Sequence, residues 1–447
     1  MSGDPGRREP CVARMRLRNF TSVAWCDIAL GPLAVLVGFN AAGKSNVLDA
    51  LRFVGDALST SLGQALATRG GLDQILHRSA DDRQAETFAI EVDLVVGAHG
   101  TQARATYGFE IGRDEERRSA YTVRREQCTL TFGDGSTEEF TVIDGEIAGS
   151  SSPAIPDSAE RGPVPEPLRG VPLGRPQDRL LLPAFALNSP VELVESAFRA
   201  MRFYELDSAT LRKVEDAPTP ARVLGARGEN VGQVLGLIAA EYPLAKEELD
   251  GYLRSLVPQA LGVDERRDGD FSTIEARFWT GRAGAAYWAA VNTGASAPGD
   301  PHVKVFRRHA LSEGTVRSAG VLAALFQPEV LTGTIPLVAI EEPETAIHPS
   351  RAGALYDAVY ETSRHTQVIV TTQSSDFLDS EYADASHLLV VEAVNGATRV
   401  GPVDEATRRF LTEHPSHLAE LHRQGQLRPA PAPAPGSTCP PGRNQIP

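Results

Sequence analysis

The spacing of apolar positions changes along the chain, and each change marks an element. Arg14 to Phe20 (RMRLRNF) alternates basic and apolar residues, which predicts a strand with one buried face. Asp27 to Leu30 is a second short strand candidate. Leu33, Val35, Leu36 and Val37 form an apolar run of the kind a buried parallel strand carries. Beyond it Val47, Leu51, Val54, Leu58 and Leu62 recur at spacings of three and four, predicting an amphipathic helix from Gly43 to about Leu66. Gly70-Gly71 interrupts that pattern, and Leu72 to His77 reads as one further helical turn. From Thr87 to about Ile143 the apolar residues take alternate positions, as in Phe88, Ile90, Val92, Leu94 and Val96. With Asp134-Gly135 as a hairpin signal, this predicts an antiparallel meander. The charged stretch Arg113 to Arg118 reads as a solvated turn.

Gly145 to Gln177 is rich in Pro, Ser and Gly and predicts a mobile loop. Helical spacing returns in Val191 to Tyr204, Glu229 to Tyr242 and Leu244 to Leu256, without the sustained heptads of a long coiled coil. Thr273 to Trp279 and His302 to Arg307 read as strands. Ala310 to Phe326 predicts a helix with Ser312 at its N-cap. Ile335 to Glu342 is an apolar run ending in two carboxylates, and Gln367 to Thr372 and His387 to Glu392 are further buried strands. Asp404 to Arg423 predicts a C-terminal helix, and Arg428 to Pro447, with PAPAPAP, an extended, disordered tail. The resulting division is one head over 1–427 followed by a tail over 428–447. Within the head, 12–145 is a β-rich first lobe, 146–179 the loop, 180–309 a helical and β insertion, and 310–427 the closing part.

Composition narrows the partners. The net charge of -14 excludes a broad basic footprint for nucleic acid, though it leaves a local basic groove open. Cys11, Cys26, Cys128 and Cys439 lack metal-site spacing and fit a reducing compartment. Residues 1–13 lack the apolar run of a signal peptide, and no stretch approaches the length of a membrane span. A soluble cytoplasmic protein with no membrane partner is the expectation.

The chemistry enters at Gly38-Phe39-Asn40-Ala41-Ala42-Gly43-Lys44-Ser45, the pattern G-x-x-x-x-G-K-S of a phosphate-binding P-loop. Glycines let the backbone turn so that N–H groups converge on phosphate oxygens. Lys44 would reach the β- and γ-phosphates, and Ser45 would ligate Mg²⁺. The helix that begins here points its positive end at the anion. Gly38, Asn40, Gly43, Lys44, Ser45 and Asn46 are the nucleotide-binding candidates of this segment. The pattern alone could mark an ordinary glycine turn, but it stands between a buried strand and an amphipathic helix, as the motif demands. A second half of the site is expected where Pro336 to Glu342 ends in acids, because ligands of open α/β sheets bind at the carboxyl ends of strands. There Glu341 is the metal-side candidate and Glu342 the general base.

The run IEEPETAIHP resembles the Walker B and D-loop segment of the RecF/SMC-type branch of the ABC ATPases, near stand-alone AAA-type ATPases and the ATPase part of OLD-family proteins. Leu311 to Thr315 (LSEGT) is similar to the signature LSGGQ, departing at Glu313 and Thr315. VIVTTQSSDFLD resembles the switch strand, with Gln373 where that family has histidine. The opening RLRNFTSV also fits, and the likeness extends over most of 12–400. It implies an α/β P-loop fold of ABC type, with an antiparallel β meander and a helical lobe inserted between Walker A and the signature.

The resemblance also implies a mechanism. Two heads would sandwich two ATPs, each held by the P-loop of one chain and by Ser312 and the Gly314 backbone of the other, so that an isologous homodimer completes both sites. Glu341 should keep Mg²⁺ binding. Gln373 can hydrogen-bond a γ-phosphate but cannot titrate, so slow hydrolysis is expected. No residue is assigned to the family's Q-loop glutamine, although Asn188 lies in about its region. His348 is expected to order the loop after the strand rather than to react.

The leading functional expectation is an ATP-hydrolysing, ATP-dimerised protein acting in DNA repair or anti-phage defence, with DNA as a candidate partner by family analogy alone. Alternatives are the ATPase regulatory subunit of a toxin or nuclease effector pair, the ATP-binding subunit of an ABC transporter, and a nucleotide-dependent scaffold with negligible turnover. The meander and the ETAIHP run stand against the transporter. A kinase or GTPase would not explain LSEGT or the paired glutamates.

Overall fold

The structure is a computed structural model that describes residues 11–98, 101–114, 121–151, 178–187, 189–216, 221–281 and 302–431. Strands β1 (Val12–Phe20) and β2 (Val23–Ala29) precede β3 (Leu33–Val37), which feeds the P-loop and the helix Lys44–Ser59. Next come β4 (Thr87–Ala98), β5 (Thr101–Arg113), β6 (Tyr121–Phe132), β7 (Thr137–Ile143) and β8 (Glu146–Ser151). Together with β1 and β2 they form a seven-stranded antiparallel sheet in the order β2-β1-β4-β5-β6-β7-β8. This is the meander that the alternating pattern predicts. It runs one strand further, because Glu146–Ser151 pairs with β7 where the composition predicts loop. Most of that loop segment lies outside the described residues.

The chain continues through β9 (Arg202–Tyr204) and β10 (Glu215–Asp216) to β11 (Ala260–Asp268), β12 (Phe271–Trp279) and β13 (Val303–Arg307). The last four form a small antiparallel sheet of the insertion. Then follow β14 (Leu337–Glu341), β15 (Gln367–Thr372), β16 (Leu388–Val394) and β17 (Ala397–Pro402). A six-stranded sheet has the order β17-β16-β3-β15-β14-β9, parallel except for β17.

Strand alternation explains the position of this second sheet. On β3, Ala34 and Leu36 join the core shared with the antiparallel sheet and the P-loop helix, while Leu33, Val35 and Val37 join the core on the other side. On β14 the same split separates Leu337 and Ala339 from Val338 and Ile340. A strand buried on both faces must be apolar throughout, and that is the signal visible in the sequence. The first core holds an aromatic cluster, with Phe53 meeting Phe20, Phe88 and Phe109 at centroid distances of 6.0, 5.6 and 6.1 Å. The second is filled by the helices Val231–Glu241, Pro243–Leu256, Glu313–Phe326 and Pro349–Thr362. Gln367 joins the two sheets. Its buried amide accepts from Val12 N at 2.8 Å and donates to Val12 O and Gly31 O, both at 2.8 Å.

Several elements differ from expectation. The P-loop helix stops at Ser59, and a second helix, Leu62–Ala67, starts from the side-chain cap of Ser61. The predicted helix over 191–204 is the helix Glu192–Ala200 followed by β9, which joins the edge of the parallel sheet. The C-terminal helix is broken into Glu405–Glu413 and Leu418–Arg423 around Pro415, whose ring cannot continue a helix. Arg428 to Pro431, read as the start of the tail, run back along β17, with Ala430 N donating to Pro402 O at 2.8 Å. Residues 432–447 lie outside the described part.

Candidate nucleotide site

The P-loop takes the conformation that its residue types allow. Gly43 sits at φ 99° as the N-cap of its helix, and a Cβ there would lie 2.0 Å from Thr398 Oγ1. A Cβ on Gly38 would lie 2.2 Å from Val391 O. Both glycines are therefore required by close approach of the neighbouring strands. The loop is backed by residues the motif does not contain. Thr398 Oγ1 donates to Ala42 O at 2.9 Å and lies 2.7 Å from Ser22 Oγ, which accepts from Asn46 Nδ2 at 2.6 Å. Asn46 thus braces the P-loop helix against the turn between β1 and β2. Asn40, by contrast, is exposed at the front of the loop.

Lys44 is largely buried, and its Nζ donates to Gly38 O at 2.8 Å and Phe39 O at 3.1 Å. Burial lowers its pKa, while the carboxylates of Glu342, Glu344 and Glu341 oppose that shift. The ammonium is thus held across the mouth of the loop, facing acids from the neighbouring strand.

The parallel register brings the second half of the site to the same end of the sheet. β14 and β3 flank β15, and Ser45 Oγ donates to Glu341 Oε2 at 2.6 Å. Arg52 reaches the other oxygen of Glu341 at 3.3 Å. Hydroxyl and carboxylate oxygens converging at one point are a donor set that suits Mg²⁺, with phosphate and water filling the remaining positions. The residues present fit that ion. Among the described residues no group of three or more His, Cys, Asp or Glu side chains forms a separate metal cluster.

Glu342 follows at φ 43°, a left-handed conformation that costs a non-glycine residue about 1–3 kcal/mol. Its N–H donates to Thr371 O at 3.0 Å, and its carboxylate accepts a long 3.4 Å contact from Gln373 Nε2. The kink turns this carboxylate off the strand and toward the switch residue. Glu344, not singled out by sequence, is buried and accepts from Thr372 Oγ1 at 2.5 Å. Burial raises its pKa, and the charge of Glu342 adds to the shift.

Ser312 caps the helix Glu313–Phe326, accepting from Thr315 N at 3.2 Å. Gly314 lies against the loop after β14, where a Cβ would meet Ala346 O at 2.5 Å. Arg317 binds that loop and the insertion together, donating to Thr345 O at 3.1 Å, Leu206 O at 2.6 Å and Glu342 O at 3.4 Å. Among the described residues no hydrogen bond joins Ser312 or Gly314 to the P-loop of the same chain. Lys44, Ser45, Glu341, Glu342 and Gln373 are therefore brought together, and the signature residues stand apart. His348 caps the helix Pro349–Thr362, accepting from Ser350 N at 3.3 Å, an ordering role as expected. Asn188 lies outside the described residues. Thr398 and Arg317 belong to no motif and gave no local signal, while Ser22 and Glu344 lie within the runs RLRNFTSV and IEEPETAIHP without being singled out there.

Strand order and the meeting of Ser45 with Glu341 beside the G-x-x-x-x-G-K-S loop define the nucleotide site of a P-loop NTPase fold. A family model described as "AAA domain, putative AbiEii toxin, Type IV TA system" matches the chain in two stretches, residues 33–151 and 293–379. No curated protein matches the chain. Among solved structures, an SMC head bound to the C-terminal winged-helix domain of ScpA superposes with a TM-score of 0.49 at 14% identity, over 90% of this chain and 100% of that chain. The SMC head domain from Thermotoga maritima gives 0.40 at 15% identity over 88% and 99%. The Smc head domain with an extended coiled coil, bound to the C-terminal domain of ScpA and derived from Pyrococcus furiosus, gives 0.47 at 13% identity over 91% and 99%. The fold assignment rests on the chain's own topology and motifs. No helix among the described residues is long and apolar enough to cross a membrane.

Proposed function

We propose that the protein is an ATP-hydrolysing, head-dimerising ATPase in which nucleotide occupancy controls a partner. The observation that carries this reading is the convergence of Lys44, Ser45 and Glu341 with the Glu342–Gln373 pair at one end of the parallel sheet. In this reading Lys44 turns from the loop carbonyls to the β- and γ-phosphates, exchanging two neutral acceptors for an anion. The P-loop N–H groups and helix end hold the phosphate chain. Ser45 and Glu341 would hold Mg²⁺, which would supply charge neutralisation at the phosphates when bound. Glu342 takes the proton from the attacking water, and Gln373 orients that water or the γ-phosphate. Because glutamine cannot titrate, turnover is slow. Ser312 and the Gly314 backbone reach the γ-phosphate of a second chain, which fits their separation from the P-loop of their own.

For the partner, two observations favour a protein effector of the toxin or nuclease kind over a DNA groove. The matched family is described by a toxin–antitoxin term. The arginines of β1, the most basic stretch at the start of the head, are paired with acids. Arg14 meets Asp27, Arg16 meets Glu91 and Asp93, and Arg18 meets Glu110 at 2.6 Å. DNA repair or anti-phage defence with DNA contact is the other arm of the reading.

Steady-state ATP hydrolysis by the purified protein, with and without linear double-stranded DNA, tests both. Lys44→Ala should abolish nucleotide binding, and Glu342→Gln should keep binding while slowing hydrolysis by about 10²–10⁴-fold. Glu342→Gln turning over at the wild-type rate overturns the assignment of the base. Stimulation by DNA moves the partner to nucleic acid.

A further inference from the structure

The short C-terminal helix Leu418–Arg423 brings to the P-loop an imidazole that the reaction above does not use. His422 is 5% exposed. Its ring stacks on Phe39, the second residue of the P-loop, with centroids 6.4 Å apart and planes at 19°. Its Nδ1 lies 2.8 Å from Ser375 Oγ, just past Gln373. The ring therefore bridges the loop that opens the phosphate cradle and the loop that follows the switch strand. Its Nε2 is buried and has no hydrogen-bond partner. A buried nitrogen without a partner, at the edge of an anion site, is a place for a ligand atom.

The charges around the ring favour one form. Burial, then the cations of Lys44 and Arg423, hold His422 below the ordinary imidazole pKa, so it is neutral at pH 7. Arg423 is itself engaged with Asp376 at 3.1 Å and Glu420 at 2.8 Å. In the neutral ring one nitrogen accepts and the other donates. If the Ser375 hydroxyl donates to Nδ1, Nε2 carries the hydrogen and is an idle donor.

We propose that His422 is a phosphate-binding residue of the nucleotide site, donating from Nε2 to a phosphate oxygen of bound ATP and so tying the helix Leu418–Arg423 to nucleotide occupancy. The proposal rests on the reading of the P-loop as an ATP site. It also accounts for how the C-terminal segment is fastened. Gly425, at φ 64°, packs against the Phe39 ring, and Arg428 to Pro431 bind β17. The strap that carries His422 is thus anchored on both sides of the cradle.

The test uses the full chain labelled with ¹⁵N-histidine, with the His422 resonances identified by His422→Gln, and ATP affinity read by displacement of a fluorescent ATP analogue. ATP with Mg²⁺ should shift the His422 Nε2 resonance and raise its pKa, and adenosine, lacking phosphate, should do neither. His422→Ala should weaken ATP about tenfold, as expected for one hydrogen bond to a charged group. His422→Gln, whose amide keeps a donor, should stay within about threefold of wild type. An unshifted resonance with ATP bound overturns the proposal even if His422→Ala fails to fold. So does His422→Ala that folds and binds ATP as tightly as wild type. A wild-type protein that binds no ATP overturns the P-loop reading itself, a failure the other two outcomes do not produce.

Discussion

At the scale of single residues, the chain places ionisable groups where burial and function both act on them. Lys44 and Glu344 face one another across the site, each displaced by burial from its ordinary range. Glu126 shows the same physics away from the site. It is fully buried in the antiparallel sheet and accepts from Leu181 N at 2.6 Å, Leu182 N at 2.8 Å and Tyr107 OH at 3.0 Å. Burial raises its pKa from 4.5 to about 7, although those three bonds pull the other way. A raised carboxyl pKa means that the folded chain holds a proton the unfolded chain has released. Its contribution to stability is full below pH 4.5 and is lost as pH rises through about 7. Glu126→Gln has one acceptor oxygen for two backbone donors and should cost about 1–3 kcal/mol. Chemical denaturation at a series of pH values should show the wild-type advantage largest at the acid end and shrinking toward neutrality. A pH-independent difference would mean that Glu126 does not titrate in this range.

At the scale of elements, the signature helix and the loop after β14 behave as one unit. Gly314 lies against Ala346 O, and Arg317 holds Thr345 O and Glu342 O. Gly314→Val would force the two apart. Thermal unfolding should show a loss of about 1–3 kcal/mol. Hydrolysis should fall, while ATP binding by the P-loop stays within about threefold. Loss of nucleotide binding in that variant would mean the loop reaches the P-loop by a route not described above. The same elements show what a sequence makes legible. β3, β14 and β15 are continuous apolar runs because both faces are buried, and the meander alternates because each strand has one face on the core. Those periods are local and readable. The edge strand β9 is hidden because its three residues follow a helix directly, and β11 because its buried half (Ala260 to Val263) is short and runs into charges. Within the site, Lys44, Ser45 and the glutamate pair are announced by motifs. Thr398, Ser22, Arg317 and His422 are ordinary residues whose roles come from partners far away in the chain, as with Thr398 and Ala42.

At the scale of the whole molecule, no hydrogen bond among the described residues joins Ser312 to the P-loop of its own chain, so its proposed role calls for a second chain. Ser312→Arg should leave ATP binding by the monomer intact and abolish the ATP-dependent dimer, as read by light scattering in the Glu342→Gln background. The serine cap lost with it should cost about 1 kcal/mol, so Ser312→Ala is the matched control. Loss of both dimer and monomer binding would sink the trans assignment. The insertion supporting this face is held by a compact ion network. Lys246 meets Asp250 at 2.6 Å and Asp264 at 3.1 Å, and Arg277 meets the same two acids at 3.2 and 2.7 Å. Removing Asp250 would leave the buried Lys246 and the half-buried Arg277 to share one acid, so Asp250→Ala should destabilise the chain by about 3–5 kcal/mol in a denaturation curve.

The backing of the P-loop has a consequence for the chain during its synthesis. Thr398, which fills the space beside Gly43 and holds Ala42 O, lies 356 residues after Ala42, so this back wall is made long after the loop it supports. Val391, against which Gly38 packs, is nearly as late. Polypeptide leaves the ribosome N-terminus first, at about 5–20 residues per second. The meander can therefore pair while the cradle still lacks its back wall, and nascent chains that stop before β17 should not retain ATP. ATP retention by nascent chains of graded length, measured on stalled ribosomes, should therefore appear only once β17 has been made and has docked; retention by chains that end before Val391 would overturn this.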